Sequence, residues 1–127
     1  MRTCVRMTSQ GSAHARFSRA LASRNPTLVV AAAAELGKLT LADALAVTLV
    51  FLPSEPQRYE RASVRWHARW CLEARPSPDE AGLALAALRA LPGSARAAGA
   101  DALVELLEAR GLDEAARVLT AWTDATS

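Results

Sequence analysis

Aromatic residues and cysteines are scarce in this chain, and their scarcity excludes several kinds of fold. Only 5% of the 127 residues are aromatic, and there are two cysteines. Cys4 and Cys71 lie far apart in the sequence, and two such cysteines form neither a disulfide framework nor a zinc site. Residues that favour strands are sparse, and no alternating apolar pattern is present. We therefore expect neither a β-sheet nor a disulfide-stabilised domain.

Long apolar runs are also missing. The most apolar segments, 28–36 and 39–52, are both shorter than the roughly 20 residues that a membrane span requires. The N-terminus lacks the apolar core of a secretory signal. We expect a cytoplasmic protein with reduced thiols and no membrane partner.

Acidic residues are absent from the first 34 positions, which hold five arginines among several serines. A mitochondrial transit peptide has this composition, and so does a basic leader that precedes a basic helix. We favour the leader, with Met7 as an alternative start. The sequence thus predicts a disordered basic leader over 1–11 and a single helical domain over 12–127.

Alanine and leucine, which lead the helix-propensity scale, are abundant, and the chain contains 29 alanines. Residues that cap helices divide it into short segments: Asn25 before Pro26, Thr40, and a capping box that begins at Ser77. A similar box begins at Ser54. The predicted helical segments are about 12–23, 25–37, 40–52, 54–74, 77–91, 94–111 and 113–122.

Short links between these segments predict an all-α fold, a compact array of about seven helices packed antiparallel or orthogonally. The tripeptide Asp-Glu-Ala recurs at 79–81 and 113–115, which is the period of tetratricopeptide repeats. The wider pattern does not repeat. Solenoid-like hairpins at the C-terminal end are therefore only one form of the predicted array.

Charge is distributed unevenly along the chain. Residues 1–75 hold eleven basic and five acidic side chains, whereas residues 76–127 hold four and eight. Such asymmetry attracts nucleic acid, a charged partner or another copy of the chain. Fourteen of the basic residues are arginine, which is also typical of GC-rich coding sequences.

The predicted fourth helix carries two stripes of side chains at helical spacing. Arg58, Arg61, Arg65 and Arg69 form one stripe, and the aromatic residues Tyr59, Trp66 and Trp70 lie on another, about a quarter turn away. Nucleic-acid binders combine arginines for phosphates with rings for stacking. The simpler interpretation, which we favour, places the rings in the core and the arginines on its solvated side.

A second charged row lies on the predicted sixth helix. Asp101, Glu105 and Glu108 share one face, and the simplest interpretation is a solvated surface. An acidic row of this kind could also meet the arginine stripe, within the fold or between copies. His67 is predicted to be a packed or half-exposed ring and Cys71 a small buried hydrophobe. We predict no catalytic residue, metal ligand or cofactor.

The predicted second, third and fifth helices have too few polar residues to keep one solvated face each. A helix that is apolar on all sides must be central or covered by a partner. A domain of this size encloses about one such helix, so the sequence predicts an apolar patch for a partner, with another copy of the chain as one candidate.

Part of the sequence resembles a known group. The similarity is carried by Ala20-Leu21-Ala22-Ser23-Arg24-Asn25-Pro26, by 31–36, by Leu41-Ala42-Asp43-Ala44-Leu45, and by Arg58-Tyr59-Glu60-Arg61-Ala62 with Arg65-Trp66. Over residues 19–74 the chain resembles uncharacterised small all-helical proteins of high-GC bacteria. The resemblance implies a soluble bacterial protein, and it transfers no site residue.

Three functions remain open from the sequence. The first is a non-enzymatic protein–protein interaction or adaptor module, with self-association into a homodimer as one form. The alternative is a nucleic-acid-associated factor that uses the arginine stripe. The third is an enzyme or ligand-binding protein with a pocket beneath Trp66 and Trp70.

Overall fold

Seven α-helices make up the part of the chain that the structure describes. The structure is a computed structural model that describes residues 2–126, with side chains from residue 11 onward. The helices are α1 (Arg2–Ser23), α2 (Pro26–Leu36), α3 (Leu41–Val50), α4 (Pro56–Ala74), α5 (Pro78–Ala90), α6 (Arg96–Ala109) and α7 (Asp113–Thr126). The prediction of an all-α fold with seven helices is confirmed.

Three of the predicted caps hold their helices in place. The Asn25 side chain accepts hydrogen bonds from the first turn of α2, and that of Thr40 does the same for α3. Ser77 and Glu80 form a reciprocal capping box at the start of α5. Each bond satisfies a backbone N–H that has no partner within the helix, so the local sequence determines these starts.

Other boundaries differ from the prediction. Ser54 does not cap α4, because residues 51–54 form a turn closed by a hydrogen bond from the Glu55 N–H to the Phe51 carbonyl. The N-cap is Glu55, and its side chain makes no capping bond. Ser94 likewise lies in a turn, and α6 begins two residues later at Arg96. At the C-terminal end, α7 continues past Trp122.

The first helix is longer than predicted. It begins at Arg2, ten residues before the predicted start at residue 12, and it therefore includes most of the predicted leader. The predicted division into a leader over 1–11 and a domain over 12–127 stays a prediction.

The helices form a closed ring rather than a row. From α3 to α7, each helix packs on the next, and α7 returns to pack on α3. Helices α1 and α2 pack on each other and on the outer side of α3. Because α7 closes on α3, the C-terminal hairpins complete a globular core and do not extend as a solenoid would.

Buried leucines and aromatic rings fill this core. The largest fully enclosed side chains are those of Trp70, Tyr59, Phe17, Leu45, Leu49, Leu88, Leu91, Leu103, Leu107, Leu119 and Val29. Helix α3 is the most enclosed, since every one of its residues is buried or half-buried. It is the single enclosed apolar helix that a domain of this size allows.

Helices α5 and α6 approach each other closely at Gly99. A Cβ atom built on Gly99 would lie 2.8 Å from the Cβ of Ala90 and 2.9 Å from the carbonyl oxygen of Ala87. Both distances are shorter than van der Waals contact. Helices α5 and α6 can therefore pack this closely only because residue 99 has no side chain.

Candidate functional site

Helix α4 is held in place by its aromatic face. Tyr59, Trp66 and Trp70 are 2%, 3% and 0% exposed. The Tyr59 hydroxyl donates a hydrogen bond to the Leu88 carbonyl at 2.6 Å, and the Trp66 indole N–H donates one to the Leu41 carbonyl at 2.9 Å. These bonds tie α4 to its neighbours in the ring, so its remaining faces are presented in a fixed orientation.

Burial of the aromatic rings bears on two functions left open by the sequence, nucleic-acid binding and a ligand pocket beneath Trp66 and Trp70. It raises the pKa of the Tyr59 phenol, since the phenolate would be poorly solvated. The rings of Trp66 and Trp70 stack on each other, with centroids 6.2 Å apart and planes inclined by 5°. Rings packed in this way have no free face for a base or a ligand, as the core interpretation predicts.

The stripe arginines divide between two surfaces. Arg58, Arg65 and Arg69 line a groove between α4 and the pair α2 and α3. Arg61 is exposed and is not among the residues that line it. The sequence predicted one continuous stripe, but only the flank of α4 that packs on α3 faces the groove, which α2 helps to line.

We call this feature the arginine-flanked groove. It has a volume of 330 Å³. Phe51, Ala62 and Trp66 lie buried in its floor, and Val30, Ala33, Leu39, Ala44, Val47 and Thr48 complete the lining with the three arginines. Within the described part of the chain, this lining contains no carboxylate, histidine or cysteine. The groove is therefore apolar below and cationic along the edge formed by α4.

The arginines at the two ends of the groove have partners. Arg58 donates to Glu55 at 3.3 Å, and its guanidinium lies 4.5 Å from the centroid of the Phe51 ring. Arg69 donates to Glu73, one turn further along α4, at 2.5 Å. Among the described residues, the Arg65 side chain makes no ion pair or hydrogen bond. The middle of the cationic edge is therefore the part available to a ligand.

The acidic row on α6 does not meet these arginines. Asp101, Glu105 and Glu108 are all exposed. Helix α6 packs on α5 and α7 and makes no backbone contact with α4 in the described region. The suggested pairing within the fold is therefore wrong, because no ion pair joins the two sets among the described residues. Pairing between copies stays a prediction.

Arg110 connects the ends of α6 and α4. This residue, which caps the C-terminus of α6, donates to the backbone carbonyls of Ala74 and Arg75. Its guanidinium also lies 3.5 Å from the Glu80 carboxylate. A cation suits the negative end of a helix dipole, so Arg110 stabilises the junction between α4 and α5.

His67 and Cys71 are one turn apart on α4, a spacing that sequence reasoning did not use. The His67 Nε2 lies 2.8 Å from the Ala81 carbonyl, and the Cys71 sulfur lies 3.9 Å from the ring nitrogens. Both side chains are half-buried, so Cys71 is less buried than predicted. No third histidine, cysteine or carboxylate joins them in the described residues, and the pair makes no metal cluster there.

A second apolar cleft lies between α1, α3 and α7. It has a volume of 370 Å³ and is lined by Leu21, Ala22, Arg24, Ala46, Leu49, Val50, Pro53, Val118, Ala121, Trp122 and Thr126. Sequence reasoning missed it, since it exists only because α7 returns to α3. Arg24 is the one charged side chain in this lining, so the cleft has fewer polar features than the arginine-flanked groove.

Exposed aliphatic side chains mark the outer faces of three helices. They are Leu28 on α2, Val64 and Leu72 on α4, and Leu83 on α5, with Leu72 78% exposed. Helices α2 and α5 thus each expose one leucine, while α3 is covered, and the predicted apolar patch for a partner stays a prediction. None of the helices in residues 2–126 is long and apolar enough to cross a membrane.

Comparison with known proteins adds no relative. No family model, no curated protein and no solved structure matches this chain. The resemblance of residues 19–74 to the high-GC bacterial group therefore stays a prediction.

Proposed function

We propose that this chain is a cytoplasmic, non-enzymatic protein-interaction module that binds its partner in the arginine-flanked groove. One observation supports this most directly: a groove with half-buried aliphatic side chains along its lining runs beside three arginines that a single helix presents. Aromatic and arginine side chains are enriched at the centres of protein interfaces, where apolar contact supplies affinity and charge supplies orientation.

The alternative function, a nucleic-acid-associated factor, would use the same arginines on phosphates. Single-stranded nucleic acid would also need exposed rings for stacking, and the three rings of α4 are buried. The balance of these features favours a protein partner. Nucleic acid therefore becomes a competing outcome of the test.

A peptide selection tests the proposal even though the partner is unidentified. Random peptides of about 16 residues, long enough to cover a groove of three helical turns, are displayed on phage and selected against the immobilised chain. Enriched peptides are then titrated against the wild type, Arg65→Glu and Arg61→Glu. The two variants change the net charge equally on one helix, and only Arg65 lines the groove.

We expect Arg65→Glu to weaken the enriched peptides by about tenfold or more and Arg61→Glu by less than about threefold, because only the first residue contacts the ligand. Equal weakening by both would show attraction to the general field of α4, and no enrichment would also contradict the proposal. A duplex DNA that binds more tightly than any peptide, and depends on both arginines, would establish the alternative.

A further inference from the structure

We infer that the occupant of the arginine-flanked groove is an acidic amphipathic helix of a different protein. The inference rests on the proposed function and specifies the partner's chemistry: an apolar stripe on the floor and carboxylates facing Arg65. Its three supports are the length of the groove, the charge of its edge and the composition of α6.

The groove has the length of a short helix. Arg58 and Arg69 are eleven residues apart on α4, which corresponds to about 16 Å, or three turns. A partner helix of three to four turns lying beside α4 would place apolar side chains at every third or fourth position over the half-buried Val30, Leu39 and Val47 of the lining.

The cationic edge selects the charge of that helix. Arg65 lies between two arginines that are already paired, and it has no partner of its own among the described residues. A carboxylate of the ligand can therefore bind its guanidinium in a bidentate manner without breaking an existing ion pair. A basic helix would meet repulsion from Arg65, because the carboxylates nearest the edge, Glu55 and Glu73, are already paired with Arg58 and Arg69.

A second copy of the chain fits this surface less well. Helix α6 carries the acidic row, but its large apolar residues Leu103, Leu106 and Leu107 are buried in its own core. Between Asp101 and Glu108, the other apolar residues of α6 are only Ala102 and Val104, and both are half-buried, so they are too small and too covered to fill the groove. The charge of α6 is complementary to the groove, whereas its apolar face is not available.

Synthetic peptides test the inference with the full chain. The probe is a helical peptide of about 15 residues with leucines at every third or fourth position, flanked by glutamates. One control replaces every glutamate with lysine, and the other scrambles the sequence at constant composition. Affinities are measured by fluorescence anisotropy, and helix formation on binding is measured by circular dichroism.

We expect the acidic peptide to become helical and to bind at least about tenfold more tightly than either control, with a preference that falls as salt rises. Arg65→Glu should remove this preference, and Arg61→Glu should retain it. Equal binding of the lysine peptide would overturn the inference, while groove-binding peptides from the selection would still support the proposed function. Salt-sensitive self-association that displaces the acidic peptide would overturn it in favour of a second copy.

Discussion

A substitution at Gly99 tests how closely α5 and α6 pack against each other. Replacing it with alanine places a Cβ atom 2.8 Å from the Ala90 Cβ and 2.9 Å from the Ala87 carbonyl oxygen. The carbonyl belongs to the backbone of α5 and cannot rotate away. The added methyl group must therefore push α5 and α6 apart, and the buried contacts beside it lose their packing.

Two effects of opposite sign determine the magnitude. Alanine in place of glycine favours a helix by about 0.8–1 kcal/mol, whereas overpacking a tight core costs about 1–3 kcal/mol. For Gly99→Ala we expect a net loss of up to about 2 kcal/mol in the free energy of unfolding. Gly82→Ala is the matched control, because a Cβ at Gly82 in α5 meets no atom within 4 Å. That variant should gain stability, by about 0.5–1 kcal/mol.

Urea denaturation followed by circular dichroism measures both variants, and the difference in sign between them is the prediction. A change of 1 kcal/mol shifts the melting temperature by about 4 °C in a domain of this size. If Gly99→Ala stabilised the protein as much as Gly82→Ala, the close contact between α5 and α6 would be refuted.

Three further predictions concern individual side chains. Trp66→Ala should reduce the free energy of unfolding by about 3–5 kcal/mol, because the ring is buried and its N–H bonds to α3; an unchanged melting temperature would contradict the core assignment. Ser77→Ala should cost about 1 kcal/mol in urea denaturation, while Ser54→Ala should have almost no effect, because only Ser77 caps a helix. Hydrogen bonding by Ser77, helped by the charge of Arg110, lowers the pKa of Glu80 below its ordinary value of 4.5. The ionised carboxylate is therefore favoured in the folded state. It stabilises the fold fully at pH values above 4.5, and this stabilisation is lost as the pH falls through the lowered pKa. Glu80→Gln should accordingly be less stable than the wild type at neutral pH, and the difference should shrink in denaturation series at acidic pH; a constant difference would contradict this.

Local features of the sequence were sufficient to predict the helices. A cap such as Asn25 or Ser77 acts within one turn, so its effect can be read from neighbouring residues. Ser54 shows the limit, because the turn after α3 takes the position that the cap would need. The return of α7 to α3 depends on contacts between residues far apart in sequence, and no periodicity within one helix reports it.

For the candidate site, the positions of side chains along α4 could be predicted from the sequence, but the groove beside them could not. The spacing of the arginines and of Tyr59, Trp66 and Trp70 placed two stripes on α4; the structure keeps the aromatic stripe together and divides the arginines between two surfaces. The sequence did not show that α2 and α3 build a wall beside Arg65 and leave Arg61 outside it. It also suggested a contact between the acidic row and these arginines, but α4 and α6 make no backbone contact in the described region. Which face of a helix becomes a groove is decided by its neighbours.

Amide chemical-shift mapping tests the central claim most directly. The ¹⁵N-labelled chain is titrated with the tightest peptide from the selection, and the shifted residues are placed on the fold. The account predicts that the shifts concentrate on the lining of the arginine-flanked groove in α2, α3 and α4, with Arg65 among the largest. Shifts centred on α5, α6 and α7, with the groove unchanged, would contradict it.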